Sequence, residues 1–226
     1  MRAVAIRLEG PLQAWGCYAM GDDRPTLDVP TKSGVLGLVA ACIGIERNAH
    51  ERLFALAAAA SVHIRVDRAG TRLVDDQTIQ GLDKVKLSNG QFRSSATRAT
   101  IQSKRGYLAD ASFVAMVVTK DEWGDLIEGA LRAPRFAPFL GRRGCPPAMP
   151  LLEARCEAAD PISLFESVAY AGAGESIDYF LDGDALHLQQ LVVVQQRDAL
   201  RGPLARQFQN RAVSHVRLAR QTREGV

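Results

Sequence analysis

Residues 33–45, SGVLGLVAACIGI, carry no charged side chain. Read as a helix, the run places Val35, Leu36, Leu38, Val39, Cys42 and Ile43 so that no polar face is left. A helix of that kind must be covered by the rest of the chain on nearly every side. Thr31 or Ser33 can cap its start. Gly34 and Gly37 lower its helix propensity, which makes sense where helix backbone packs closely on a sheet or on a nucleic acid strand. A chain of 226 residues can supply that cover as one large domain, or as a domain with a smaller appendage.

The segments around this helix fit such a layer. Residues 3–8 (AVAIRL) read as a short core strand ended by Gly10-Pro11, and 16–31 as an ordered polar loop. A second helical stretch spans about 50–59, and VHIRVD (62–67) alternates apolar and polar residues as a half-exposed strand does. TRLVDDQTI (71–79) is its expected hairpin partner across the Ala69-Gly70 turn. ASFVAMVVT (111–119) is a further strand, EWGDLIEGALRA an amphipathic helix, and LLEARC (151–156) a closing strand. The order strand, helix, strand, strand, helix, strand is that of a ferredoxin-like α+β domain over residues 1–156. Residues 157–226 read as a small C-terminal β-rich subdomain, with ALHLQQLVVVQ (185–195) as its strand and an arginine-laced tail.

Composition excludes more than it selects. The chain is 47% hydrophobic and 23% charged, as ordinary globular proteins are. Neither a signal peptide nor an apolar run of membrane-spanning length is expected, so the chain is read as cytoplasmic and not membrane-bound. Cys17, Cys42, Cys145 and Cys156 form no CxxC pair, and His50, His63, His187 and His215 have no ligand spacing; no metal and no cofactor is expected. Asp75 and Asp76 are adjacent on an expected strand and would point to opposite faces, so a two-metal hydrolase site lacks support.

Charge is distributed unevenly. The net charge is only +3, yet residues 84–109 hold Lys84, Lys86, Arg93, Arg98, Lys104 and Arg105 with no carboxylate. Residues 130–152 hold four arginines and no acid, and seven arginines after residue 196 face only Asp198 and Glu224. Segregation of this kind makes a basic face, whose commonest target is phosphate backbone. The 84–109 segment is also poor in large apolar side chains and rich in Ser, Thr, Asn and Gln, groups that reach phosphate and 2′-hydroxyl oxygens.

Three smaller motifs have two readings each. The glycines of GRRGCP (141–146) can form a turn in which Arg142 and Arg143 cradle a phosphate, or a plain surface turn. Thr31, Lys32 and Ser33 can bind an anion at the helix start, or simply cap it. Trp15, beside Gln13, can stack on a base or anchor its loop in the core.

Four separated runs, RLEGPLQAWG (7–16), RPTLDVPTKSGVLGLVAACIGI (24–45), IQSKRGYLADASF (101–113) and RFAPFLGRRGCP (135–146), together resemble the CasD family. These are small backbone subunits of the Cascade complex in the E subtype of type I CRISPR systems. The resemblance covers at least residues 1–156, with RQF (206–208) similar beyond it. It implies an RNA-recognition-related ferredoxin-like domain with an inserted thumb hairpin at about 80–109. It implies capping of the crRNA 5′ handle, beside the repeat-bearing backbone subunit and the large subunit that recognises the protospacer-adjacent motif. The RNA-contacting residues expected are Gln13, Trp15, Thr31, Lys32, Ser33, Lys84, Lys86, Arg93, Arg98, Gln102, Lys104, Arg105, Arg142, Arg143 and Arg206, with no catalytic residue. Two other functions stay open. One is a metal-independent pre-crRNA endoribonuclease using His50 or His215 with Tyr107 or Lys104; the other is an assembly subunit that barely touches RNA.

Overall fold

The structure is a computed structural model that describes residues 1–16, 22–80, 84–86, 92–94, 100–183, 190–203 and 207–220. Its first elements are β1 (Arg2–Glu9), β2 (Leu12–Gln13), β3 (Asp23–Arg24), α1 (Lys32–Ile43), α2 (His50–Ala59), β4 (Ser61–Arg68) and β5 (Thr71–Gln80). Then come β6 (Lys84–Lys86), β7 (Phe92–Ser94), β8 (Thr100–Ala109), β9 (Ser112–Val118), α3 (Asp121–Arg132) and β10 (Leu152–Glu157). The chain closes with α4 (Pro161–Phe165), β11 (Ser176–Asp182), β12 (Gln190–Leu200) and β13 (Phe208–Ala219).

A mixed α+β architecture results. The main sheet has seven strands in the order β10-β1-β9-β4-β11-β13-β12, with every neighbouring pair antiparallel. The run β1-α1-β4-β9-α3-β10 therefore closes with its strands side by side as β10-β1-β9-β4. Strand periodicity sorts the core into two layers. Val4, Ile6 and Leu8 meet α1 and α3 on one face, together with Val62, Ile64, Phe113, Ala115 and Val117. Ala3, Ala5, Val114 and Met116 face the other way, onto Leu164, Phe165 and Val168 around α4, in one cluster with Ile177, Tyr179 and Leu181 of β11. With both faces covered, β1 and β9 have no reason to alternate with polar residues, and α1 is buried as its composition requires.

Two expectations change here. Thr71–Gln80 does not form a hairpin with Ser61–Arg68: β4 lies between β9 and β11, and β5 pairs along its whole length with β8 in a second sheet. Gly70, at a φ of 75°, redirects the chain, and the side chains of 71–78 are exposed or half-buried, so they offer the main sheet no apolar face. The β5–β8 ribbon, with the β6–β7 pair between its strands in sequence, pairs from Thr71 onward. Residues 157–220 also hold more structure than one strand: β11, β13 and β12 extend the main sheet itself, and α4 is capped by Asp160.

A buried ion cluster ties this second half to the first. Asp67 accepts from Arg7 at 2.7 Å and from Arg65 at 2.6 and 3.0 Å, and also takes the Ala171 amide. Arg65 spends its remaining donors on the Phe165, Val168 and Ala169 carbonyls, and lies over the Phe165 and Tyr170 rings. All three charged side chains are buried. Among the described residues, no helix is long and apolar enough to cross a membrane.

Candidate nucleic-acid interface

The exposed stripe of α1, the inner face of the β5–β8 ribbon and the loop 136–144 converge on one open cleft of about 1030 Å³. Helix α1 contributes Ser33, Gly37 and Ala41; the ribbon contributes Gln77, Arg105 and Tyr107. Arg24, Arg47, Arg105, Arg142 and Arg143 line the cleft against a single carboxylate, Glu46. Concentrated positive charge in a concave, low-dielectric surface focuses attraction on an anionic strand. Phe136, at 43% exposure, supplies an aromatic face at the mouth.

Strand alternation decides which β8 residues look inward. Ser103, Arg105 and Tyr107 share one face, buried or half-buried, while Gln102 and Lys104 are exposed on the other. The Ser103 hydroxyl and Arg105 Nε are buried without any hydrogen-bond partner among the described residues. Of the two residues, Arg105 lines the cleft and Ser103 does not. The outer face is not the acid-free surface that a linear count suggests. Lys104 sits across from Asp76 on β5 and from Asp23 on β3, while on the inner face Arg105 sits across from Asp75.

The loop 136–144 is fixed firmly. Gly141 has a φ of +87° and a Cβ there would fall 1.6 Å from the Ala14 carbonyl oxygen, so only glycine fits. Arg142 donates to the carbonyls of Gly106 (2.9 Å) and Arg24 (2.6 Å), and its guanidinium lies 4.7 Å from the Tyr107 ring centroid. Arg143 beside it is exposed.

Several residues expected at the interface are turned inward. Gln13 is fully buried; its amide donates to the Leu8 and Ala111 carbonyls and its oxygen accepts from Trp15 Nε1. Trp15 is 1% exposed, so it anchors its loop and offers no stacking surface. The Thr31 hydroxyl caps α1 by accepting from the Gly34 amide at 3.1 Å. The helix start does hold an anion, but an internal one: the Lys32 amide donates to Asp198 at 2.7 Å, and Lys32 Nζ to Asp182 at 2.9 Å. Arg211 grips both carboxylates. Burial alone would raise the Asp182 carboxyl, but Arg211 and Lys32 outweigh it and hold it below the usual range. Of the Thr31-Lys32-Ser33 group, Ser33 lines the cleft. Lys84 and Lys86 fall on β6 and Arg93 on β7. Arg98 and Arg206 lie outside the described residues.

The histidines do not assemble with the proposed ribonuclease partners. His215 pairs with Asp178 at 2.8 Å and stacks on Phe180, on β13 of the main sheet, whereas Tyr107 and Lys104 lie on β8 of the second sheet. No hydrogen bond among the described residues joins His50 to either. His63 accepts from the Asp182 amide through Nδ1 at 3.2 Å. Burial pushes it down to about 4; the Asp182 charge opposes this, while Arg211 and Lys32 reinforce it. No group of three or more His, Cys, Asp or Glu side chains among the described residues is arranged to hold a metal ion.

Sequence reasoning missed Arg24 and Arg47. Each stands next to a carboxylate in the chain, Asp23 and Glu46, and a charge count in windows cancels them. The fold brings Arg24 to the cleft without Asp23, whereas Glu46 lines it beside Arg47. Phe136 was signalled by its place just before the GRRG turn.

A family described as CRISPR-associated protein (Cas_Cas5) matches residues 3–224. The chain belongs to that family. It is 39% identical over 164 residues to the CRISPR system Cascade subunit CasD of Escherichia coli (strain K12), spanning 69% of this chain and 72% of that one. Among solved structures, it is similar to a chain of a CRISPR RNA-guided surveillance complex, with a TM-score of 0.74 and 31% identity over 96% of this chain and 90% of that one. A crystal structure of a Cas protein aligns with a TM-score of 0.68 and 27% identity, over 96% of this chain and 95% of the other.

Proposed function

We propose that the chain is a non-catalytic guide-RNA-binding backbone subunit of a Cascade-type surveillance complex, and that the arginine-lined cleft holds the 5′ handle of the crRNA. The observation that supports this most is the cleft itself, lined by five arginines against one carboxylate and walled on one side by the ribbon strand β8. Arg24, Arg47, Arg105 and Arg143 take phosphates, Phe136 takes a base face, and Gly37 leaves α1 backbone open to close approach. Lys84, Lys86, Arg93, Arg98, Gln102 and Lys104 track the strand along the thumb, and Arg206 meets it from the C-terminal part. Gln13, Trp15, Thr31 and Lys32 build the wall behind the site. The β1-α1-β4-β9-α3-β10 unit reads as a ferredoxin-like, RNA-recognition-related domain with the thumb inserted between β4 and β9. Residues 157–226 read as a small β-rich subdomain that shares its sheet and faces neighbouring subunits. Those neighbours are the repeat-bearing backbone subunit and the large subunit that recognises the protospacer-adjacent motif, in the cytoplasm.

Phosphate contacts release counterions, so the test is salt dependence. Arg105→Ala and Arg143→Ala should each weaken binding of single-stranded handle RNA and flatten the log–log salt slope by roughly 0.7. Wild-type affinity and slope in both variants would remove the cleft from the RNA interface.

A further inference from the structure

Arg142 differs from the other cleft arginines in what its guanidinium does. Nη1 donates to the Gly106 carbonyl on β8, and Nη2 donates to the Arg24 carbonyl on β3, with Pro25 O at 3.5 Å. The same group lies over Tyr107. Two strands at the root of the thumb are thus held by one planar fork that projects from the rigid 141–144 turn. That turn is itself pinned by Leu140 and Cys145 backbone bonds and by Gly141 against Ala14. On β8, Arg105 sits one residue from the Gly106 carbonyl, and on β3 Arg24 owns the other one. Any swing of the thumb root would have to break these bonds.

We propose that Arg142 is a positioning residue, a strut that sets the distance between the thumb root and the 141–144 turn and so places Arg105 and Arg24 for the phosphates. This inference rests on the cleft being the RNA site. It assigns Arg142 a role distinct from that of its exposed neighbour Arg143. A lysine at 142 keeps the charge but cannot donate to two carbonyls while stacking on a ring, so charge and fork geometry can be separated.

The experiment compares Arg142→Lys, Arg142→Ala and Arg143→Ala in the full chain, by titration with a labelled single-stranded handle RNA at several salt concentrations. Amide exchange of the free proteins is followed in parallel. The strut predicts that Arg142→Lys weakens binding about tenfold, nearly as much as Arg142→Ala, and that both flatten the salt slope, because Arg105 and Arg24 lose their phosphates even where the charge at 142 is kept. It also predicts faster exchange in the free proteins at the amides of 104–107, Arg24 and Thr26, with β1 and β9 protected as before. Combined with Arg105→Ala, the Arg142 substitution should be less than additive, because a misplaced Arg105 has less to lose. Near-normal binding and a wild-type slope in Arg142→Lys, with both lost in Arg142→Ala, would make Arg142 a direct phosphate ligand and overturn the proposal. Unchanged exchange at the thumb root would also overturn it. If Arg143→Ala and Arg105→Ala leave binding untouched while the exchange result holds, the strut stands and the cleft assignment falls.

Discussion

The two glycines of the buried helix predict opposite outcomes for the same substitution. A Cβ at Gly37 would meet no atom within 4 Å, and the residue is exposed toward the cleft. Gly37→Ala should therefore gain the helix-propensity difference, about 0.5–1 kcal/mol. In a domain of this size that raises the melting temperature by about 1–4 °C. A Cβ at Gly34 would lie 2.9 Å from Thr31 Oγ1 and 3.0 and 3.2 Å from two carbons of the Trp15 ring. Trp15 is buried and held through its indole N–H, so it cannot give way. Overpacking of that kind costs about 1–3 kcal/mol, which offsets the propensity gain and leaves Gly34→Ala neutral to about 2 kcal/mol destabilising. The assay is thermal melting and urea unfolding of both variants, with RNA titration of Gly37→Leu added. Leucine is also a good helix former, but its side chain fills the cleft where α1 lies open, so handle affinity should fall tenfold or more with the fold intact. A destabilised Gly37→Ala would refute the packing argument. Wild-type RNA affinity in Gly37→Leu would refute the idea that RNA passes over this helix.

Asp67→Asn should cost about 3–5 kcal/mol, because it leaves the buried Arg65 with no carboxylate and Arg7 with Glu153 alone; urea unfolding checks this, and a loss below about 1 kcal/mol would contradict it. Stability should fall as pH drops from about 6.5 to 4, since the unfolded chain protonates His63 there and the folded one does not. That histidine alone contributes about 3 kcal/mol by pH 4, at about 1.4 kcal/mol per pH unit. The difference in unfolding free energy between wild type and His63→Gln should shrink by that amount across the window, and a pH-independent difference would exclude His63.

How far the sequence reached depended on the range of the cause. Periodicity and composition located β1, α1, α2, β4, β9, α3 and β10 because each is decided by its own residues. The partner of β5 was hidden because β8 begins 20 residues after β5 ends, and because the short Ala69-Gly70 turn offered a nearer match. The weak apolar content of TRLVDDQTIQ, only Leu73, Val74 and Ile79 among ten residues, was the available clue that this strand leaves the main sheet. Gln13 and Lys32 looked available because their partners, Leu8, Ala111, Asp182 and Asp198, are supplied by tertiary packing, and Trp15 because its burial is too. The same holds for the cleft: Arg24, Arg47, Arg105 and Arg143 are brought together by three distant segments.

A map of ultraviolet crosslinks between the protein and the 5′ handle in the assembled particle tests whether RNA occupies the arginine cleft. Crosslinks should concentrate on Phe136, Arg143, Arg105 and Ser33, with none on Trp15. Handle crosslinks confined to surfaces outside the cleft, or absent from this subunit altogether, would contradict the assignment.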